Sequence, residues 1–145
     1  VSEAYPHWTR FDPGRWLVRD FPHWLVVTRS KQVTLGASLF LLKRPVPSFG
    51  EVAAEELAEL AAVAGWFEEA VIEAFGAERF NYIAAMMKDP WFHFHAIPRY
   101  SGPREFEGRE WIDQDWPAVA TFRDVQTSEV ELFLVTERLR SGSTS

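Results

Sequence analysis

Two of the chain's four histidines, His93 and His95, lie one residue apart in Asp89–Tyr100, DPWFHFHAIPRY. Side chains alternate faces along a β-strand, so His93, His95 and Trp91 share one face, and Phe92, Phe94 and Ala96 share the other. The apolar face is expected to pack on a helix, which leaves the histidine face open to a ligand. Three readings fit the pair. Both residues can be ordinary surface residues of a strand. They can bind a metal as His-x-His, with a third ligand from Asp89, Asp113, His7 or His23. Or one imidazole can act as nucleophile or base and the other as charge stabiliser in phosphoryl transfer. Lys43, Arg44 and Arg99 stand at strand ends, where they could neutralise phosphate.

The elements that position the pair follow from periodicity and breakers. RWLVRD (15–20) and WLVVTR (24–29) read as two strands around Pro22. LGASLFLLKR (35–44) is a nearly continuous apolar run that suits a central strand covered on both faces, stopped by Pro45 and Pro47. Leu57, Leu60, Ala64, Phe67, Val71 and Phe75 recur at three- and four-residue spacing and predict one long helix. Ser48 and Glu51 form a candidate capping box near its start, and Gly76 ends it. Its many Glu side chains read as a solvated face. RFNYIAAMM (79–87) and WFHFHAIPR (91–99) predict an antiparallel hairpin around Lys88-Asp89-Pro90. That register sets Ile83 opposite His95 and Ala85 opposite His93, with Asn81 on the same face. The stretch from Ser101 to Pro117 reads as loop with a short edge strand, and TFRDV (121–125) as a last strand. SEVELFLVTERLR (128–140) alternates as a strand would, but Ser128 and Glu131 fit a capping box, and the helix reading is preferred. The plan is α+β: an antiparallel sheet with one long central helix and a C-terminal helix.

The composition narrows the function. A chain of 145 residues, 47% hydrophobic and 25% charged, suits a single globular domain over residues 1–145. The net charge of −6 argues against a partner that is a nucleic-acid polymer, but a local cluster of cations can still bind a small anion. With no cysteine there is no thiolate nucleophile, thiolate metal site or disulfide, and a cytoplasmic location is the expectation. No apolar run approaches the ~20 residues of a membrane span, and VSEAYPHWTRFDPGRW lacks the pattern of a signal peptide.

At this point the sequence resembles a known family. WFHFHAIPRY is similar to the signature strand of the histidine triad (HIT) hydrolases and transferases, His-φ-His-φ-His-φ-φ, often continued by Ile-Pro-Arg. LGASLFLLKRPV is similar to the family's Pro-Gly-His-x-Leu-Val-x-Pro-Lys-Arg-His segment, and a helix follows it in the same order. The resemblance spans roughly residues 15–100 and is strongest to the bacterial branch whose hairpin reads close to MMxDPxxHFHxIPRY, labelled diadenosine tetraphosphate hydrolase-like. It implies a HIT-like fold with about five antiparallel strands, a homodimer, a small-molecule nucleotide as ligand, and no cofactor or metal. It assigns His93 as the nucleophile that forms a nucleotidyl-histidine intermediate and His95 as hydrogen-bond donor to a phosphate oxygen. Asn81, Arg99, Lys43 and Trp91 are the expected phosphate- or nucleotide-binding residues. Several positions depart from the pattern. Trp91 stands where the first histidine belongs, Arg29 lies near the position of the usual acidic ribose contact, and Pro45 or Val46 replaces a histidine. The family's Asn-x-Gly and Gly-Gln-Ser/Thr elements are absent. These departures keep a second expectation open, a nucleotide-binding protein of the same fold with weak or no turnover.

Overall fold

The computed structural model describes residues 4–142. The β-branched and aromatic run after Trp16 folds as three successive antiparallel strands, β1 (Leu17–Asp20), β2 (Trp24–Thr28) and β3 (Ser38–Leu42). All residues of β2 and β3 are buried, as two-sided coverage requires. A 3₁₀ turn (Pro6–Phe11) and the one-turn helix α1 (Pro13–Trp16) precede them.

The long helix α2 spans Ala54–Phe75. Ser48 and Glu51 do pair, Oγ to Oε2 at 2.9 Å, but they frame a separate 3₁₀ turn (Phe49–Glu51) ahead of it. Val63, Phe67, Ala70, Val71 and Phe75 form its buried stripe. Burying each of the large side chains contributes about 1.5–3 kcal/mol. Leu57, expected on that stripe, stays 37% exposed. Glu56 is buried rather than solvated, because Arg44 donates to both its oxygens and the Ala53 amide donates to Oε1. Gly76 closes the helix in the left-handed region (φ 72°), where a Cβ would be strained.

β4 (Arg79–Ile83) and β5 (His93–Arg99) pair antiparallel with Ile83 opposite His95, the expected register. The tight turn expected at Lys88-Asp89-Pro90 does not form, and the connection runs through residues 84–92 instead. The ladder stops because Met86 adopts φ 56° and the Phe92 amide donates to the Val46 carbonyl. Ala85 therefore has no strand partner opposite His93. The completed sheet has the order β1-β2-β3-β5-β4.

Phe92, Ala96, Phe40, Trp24 and Val26 meet α2 on one side of the sheet, while Leu25, Val27, Leu39 and Leu41 meet Trp8 and Trp16 on the other. The N-terminal segment thus covers part of the histidine face. The stretch after Tyr100 forms a small hairpin, β6 (Arg104–Phe106) and β7 (Arg109–Trp111), rather than loop with one edge strand. Its turn residues Glu107 and Gly108 both take positive φ, as a type I′ turn demands. TFRDV is not a strand. Asp115 accepts from the Thr121 amide and hydroxyl and from Arg123, which curls the segment away from any ladder. Helix α3 (Glu129–Gly142) opens on the expected capping box: the Glu131 amide donates to Ser128 Oγ and the Ser128 amide to Glu131 Oε1. Leu132, Val135, Thr136 and Leu139, at helical spacing, are buried. No described helix is long and apolar enough to cross a membrane.

Candidate active site

Strand β5 sets the two histidines side by side, with ring centroids 5.2 Å apart. Their cross-strand neighbours, Leu41 and Leu39 on β3 and Ile83 on β4, are apolar. The polar partners are what distinguish the rings. His93 Nδ1 lies 2.7 Å from the Trp91 carbonyl oxygen. A carbonyl can only accept, so Nδ1 carries the proton and Nε2 keeps a lone pair. At His95 the assignment reverses. Arg29 Nε donates to His95 Nδ1 at 3.3 Å, so that nitrogen is the acceptor and Nε2 carries the proton.

The one sealed and unpartnered side-chain polar atom among the described residues is Nε2 of His7. Among the described residues neither Nε2 of the pair has a protein partner, neither is sealed, and both rings line one cleft. Burial lowers the pKa of His93, against the opposing pull of the Trp91 carbonyl and Asp89. Burial, with the charges of Arg29 and His93, takes His95 down to about 3. Both imidazoles are therefore neutral near pH 7: one is a free base, the other a neutral N–H donor.

The cleft has a volume of about 570 Å³, and its walls come from four places. The N-terminal turn sets Phe11 and Trp8 against His93, at 5.9 and 5.4 Å between ring centroids. The segment after β2 contributes Arg29 and Lys31, the β4–β5 connection contributes Met86 to Asp89, and the segment before α3 contributes Phe122 to Asp124. Phe122 lies on His95 at 4.4 Å, with the Arg29 guanidinium 5.0 Å from its own ring. Five cations, Arg10, Arg29, Lys31, Lys88 and Arg123, face two carboxylates, Asp89 and Asp124. Arg10 pairs with Asp89, Lys31 with Asp124, and Arg123 with Asp115. That leaves Arg29 and Lys88 with no carboxylate partner among the described residues. Burial lowers the pKa of Arg29, the mark of a partly desolvated cation.

Of the other residues expected to bind phosphate or nucleotide, none presents its side chain to this cleft. Arg99 is buried and bidentate on Asp113, at 2.7 and 3.1 Å. Asn81 Oδ1 accepts from Arg99 Nη1 and from the Ala120 amide. Together they tie the post-β7 segment to the sheet. Lys43 pairs with Asp20 at 2.5 Å. Trp91 serves through its carbonyl, and its ring packs among the N-terminal aromatics. These cations looked available because their carboxylate partners lie distant in sequence or across a turn. Among the described residues, no group of three His, Asp or Glu is placed to hold a metal ion, since Asp89 and Asp113 are committed to arginines.

Sequence reasoning missed Gln32 and Phe122. Gln32 is fully buried. Its Nε2 donates to the carbonyls of Arg29 and Ala37, and its Oε1 accepts from the Gly36 amide. Gly36 takes φ 92°, and a Cβ there would stand 3.3 Å from Val71. Gln32 thus shapes the loop that presents Arg29, though a lone Gln in a sequence signals none of this.

No protein-family model matches the sequence, and a search of curated proteins finds no match. Solved structures do match its fold. A histidine triad (HIT) protein from Sinorhizobium meliloti superposes with a TM-score of 0.72 at 16% identity, covering 92% of this chain and 93% of that one. A histidine triad protein from Marinobacter aquaeolei gives 0.71 at 18%, covering 94% and 93%. A hypothetical histidine triad nucleotide-binding protein from Sulfolobus tokodaii gives 0.70 at 17%, covering 89% and 83%. The fold of this chain is that of histidine triad structures.

Proposed function

We propose that this chain is a nucleotide hydrolase or transferase that works through a nucleotidyl-histidine intermediate at His93. The observation that carries the reading is the opposed proton placement on two adjacent, neutral imidazoles. His93 Nε2 uses its lone pair to attack the phosphorus that carries the nucleoside. A P–N bond forms as the P–O or P–N bond to the leaving group breaks, and the leaving group departs with that bond's electron pair. The positive charge left on His93 is stabilised by its Nδ1–H on the Trp91 carbonyl. His95 Nε2–H donates to a non-bridging phosphate oxygen, where negative charge grows. Water then attacks the same phosphorus and gives up a proton to solvent, the P–N bond breaks with its electron pair returning to His93 Nε2, and a nucleoside monophosphate leaves.

The unpaired cations Arg29 and Lys88 support an anionic substrate despite the acidic whole. The substrate class is a nucleoside phosphate anhydride, ester or phosphoramidate, with dinucleoside polyphosphates among them, met in the cytoplasm. The acting form is a homodimer.

The test uses a fluorescent adenosine phosphoramidate and a dinucleoside polyphosphate as substrates, each with and without EDTA. Turnover should survive EDTA, and His93→Ala should lower it by about 10³-fold or more while nucleotides still raise the melting temperature. Normal turnover in that variant would remove the nucleophile assignment.

A second reading, nucleotide binding without turnover, draws on the N-terminal aromatics, which leave His93 only 3% exposed. It prevails if the wild type is inert yet stabilised by AMP.

A further inference from the structure

We propose that Arg29 is a positioning residue for His95: it holds the ring in the tautomer that presents Nε2–H to the cleft, and Phe122 holds Arg29 in place. This rests on the reading of His95 as a donor to phosphate. The placement stands on four contacts, two to the imidazole and two that hold the guanidinium. Arg29 Nε donates to His95 Nδ1 at 3.3 Å. The Phe122 ring lies against both groups, 4.4 Å from the imidazole and 5.0 Å from the guanidinium. Arg29 Nη1 donates to the Lys31 carbonyl at 2.7 Å, which fixes the fork.

An isolated neutral imidazole exchanges its proton between both nitrogens, and only one form offers a donor at Nε2. A guanidinium has no acceptor and does not lose its proton, so it can only donate to Nδ1. It therefore enforces the useful form at every pH where His95 is neutral. The same charge opposes protonation of the ring. The other groups facing His95 are His93 on its own strand and the apolar Leu39 and Ile83 opposite. Among the described residues no carboxylate accepts from either nitrogen of His95, so Arg29 is the side chain that accounts for the tautomer.

The experiment is ¹⁵N NMR of histidine-labelled protein near pH 7.5, without ligand, which reads ring protonation directly and needs no turnover. Wild type should show His95 protonated at Nε2 and bare at Nδ1. Arg29→Ala should give a mixture of tautomers and a raised His95 pKa. Arg29→Lys lacks the second arm that anchors the donor on the Lys31 carbonyl, so it should keep much of the charge effect on the pKa but lose the single tautomer. Unchanged His93 signals in both variants establish that the fold persists. If the substrate reading also holds, kcat for Arg29→Ala falls by about ten- to a hundredfold, the range expected for a weakened oxyanion donor, and Arg29→Lys recovers little of it. A single Nε2–H tautomer in Arg29→Ala, or a wild-type His95 protonated at Nδ1, overturns the proposal. An inert wild type with the tautomer pattern as stated overturns the catalytic reading alone.

Discussion

His95 is the residue where geometry and pH meet. Its pKa falls from the ordinary 6.5 to about 3 through burial first, then the charges of Arg29 and His93. A folded state that rejects a proton the unfolded chain accepts is favoured at high pH. This contribution to stability is full above pH 6.5 and is lost progressively as pH falls through the window from 6.5 to about 3. His95→Asn removes the titration while keeping a polar group of similar size. Its melting temperature, followed from pH 7.5 down to pH 4, should decline less steeply than that of wild type. Parallel curves for the two proteins would show that His95 does not titrate in that window. The pairing of His93 with His95, and Ile83 opposite His95, were legible in the sequence because alternation and register are local rules. The Arg29 contact was not, since it joins a loop after β2 to a strand 66 positions away. No spacing rule connects those two.

At the scale of elements, strongly periodic segments declared themselves and irregular ones did not. The α2 stripe and the α3 capping box follow from side-chain geometry that recurs every turn. The segment holding TFRDV has β-formers, but Asp115 captures both the backbone and the side chains, and such a capture has no periodic mark. The loop from Arg29 to Ala37 is held in the same way, by one fully buried amide. Gln32 satisfies the Arg29 and Ala37 carbonyls and the Gly36 amide at once. Gln32→Leu fills the space and leaves three backbone groups without that partner. At about 1–3 kcal/mol for each group left dry, the loss of unfolding free energy should be about 3 kcal/mol in urea, some of it recovered where water enters. Because the same loop carries Arg29, nucleotide binding should weaken as well. A variant within about 0.5 kcal/mol of wild type would mean that the loop satisfies itself without the amide.

For the whole molecule, the remaining question is which surface a second copy would cover. β4 is an edge strand, and its outer backbone groups have no strand partner in the described sheet. Beside it, on the α2 side, runs an apolar groove of about 380 Å³ between Leu57, Leu60, Ala61 and Ala64 on the helix and Phe40, Tyr82 and Phe94 on the sheet. An open edge next to an apolar groove invites self-association, and Leu57 shows why. It lies on the predicted apolar stripe of α2, yet it remains 37% exposed because the sheet does not reach it. A twofold contact that joined two β4–α2 faces would bury Leu57 and cover the groove in one step. The chain at −6 carries repulsion that such a contact must offset, so the association should strengthen with moderate salt. Light scattering on the purified protein should give the mass of two chains, and Leu57→Asp should shift it to one while the far-ultraviolet circular dichroism stays unchanged. The histidine cleft opens on the opposite face of the sheet, so the monomeric variant should retain nucleotide binding. A wild type that scatters as a single chain across the micromolar range would leave the groove uncovered and remove the homodimer from the proposed function.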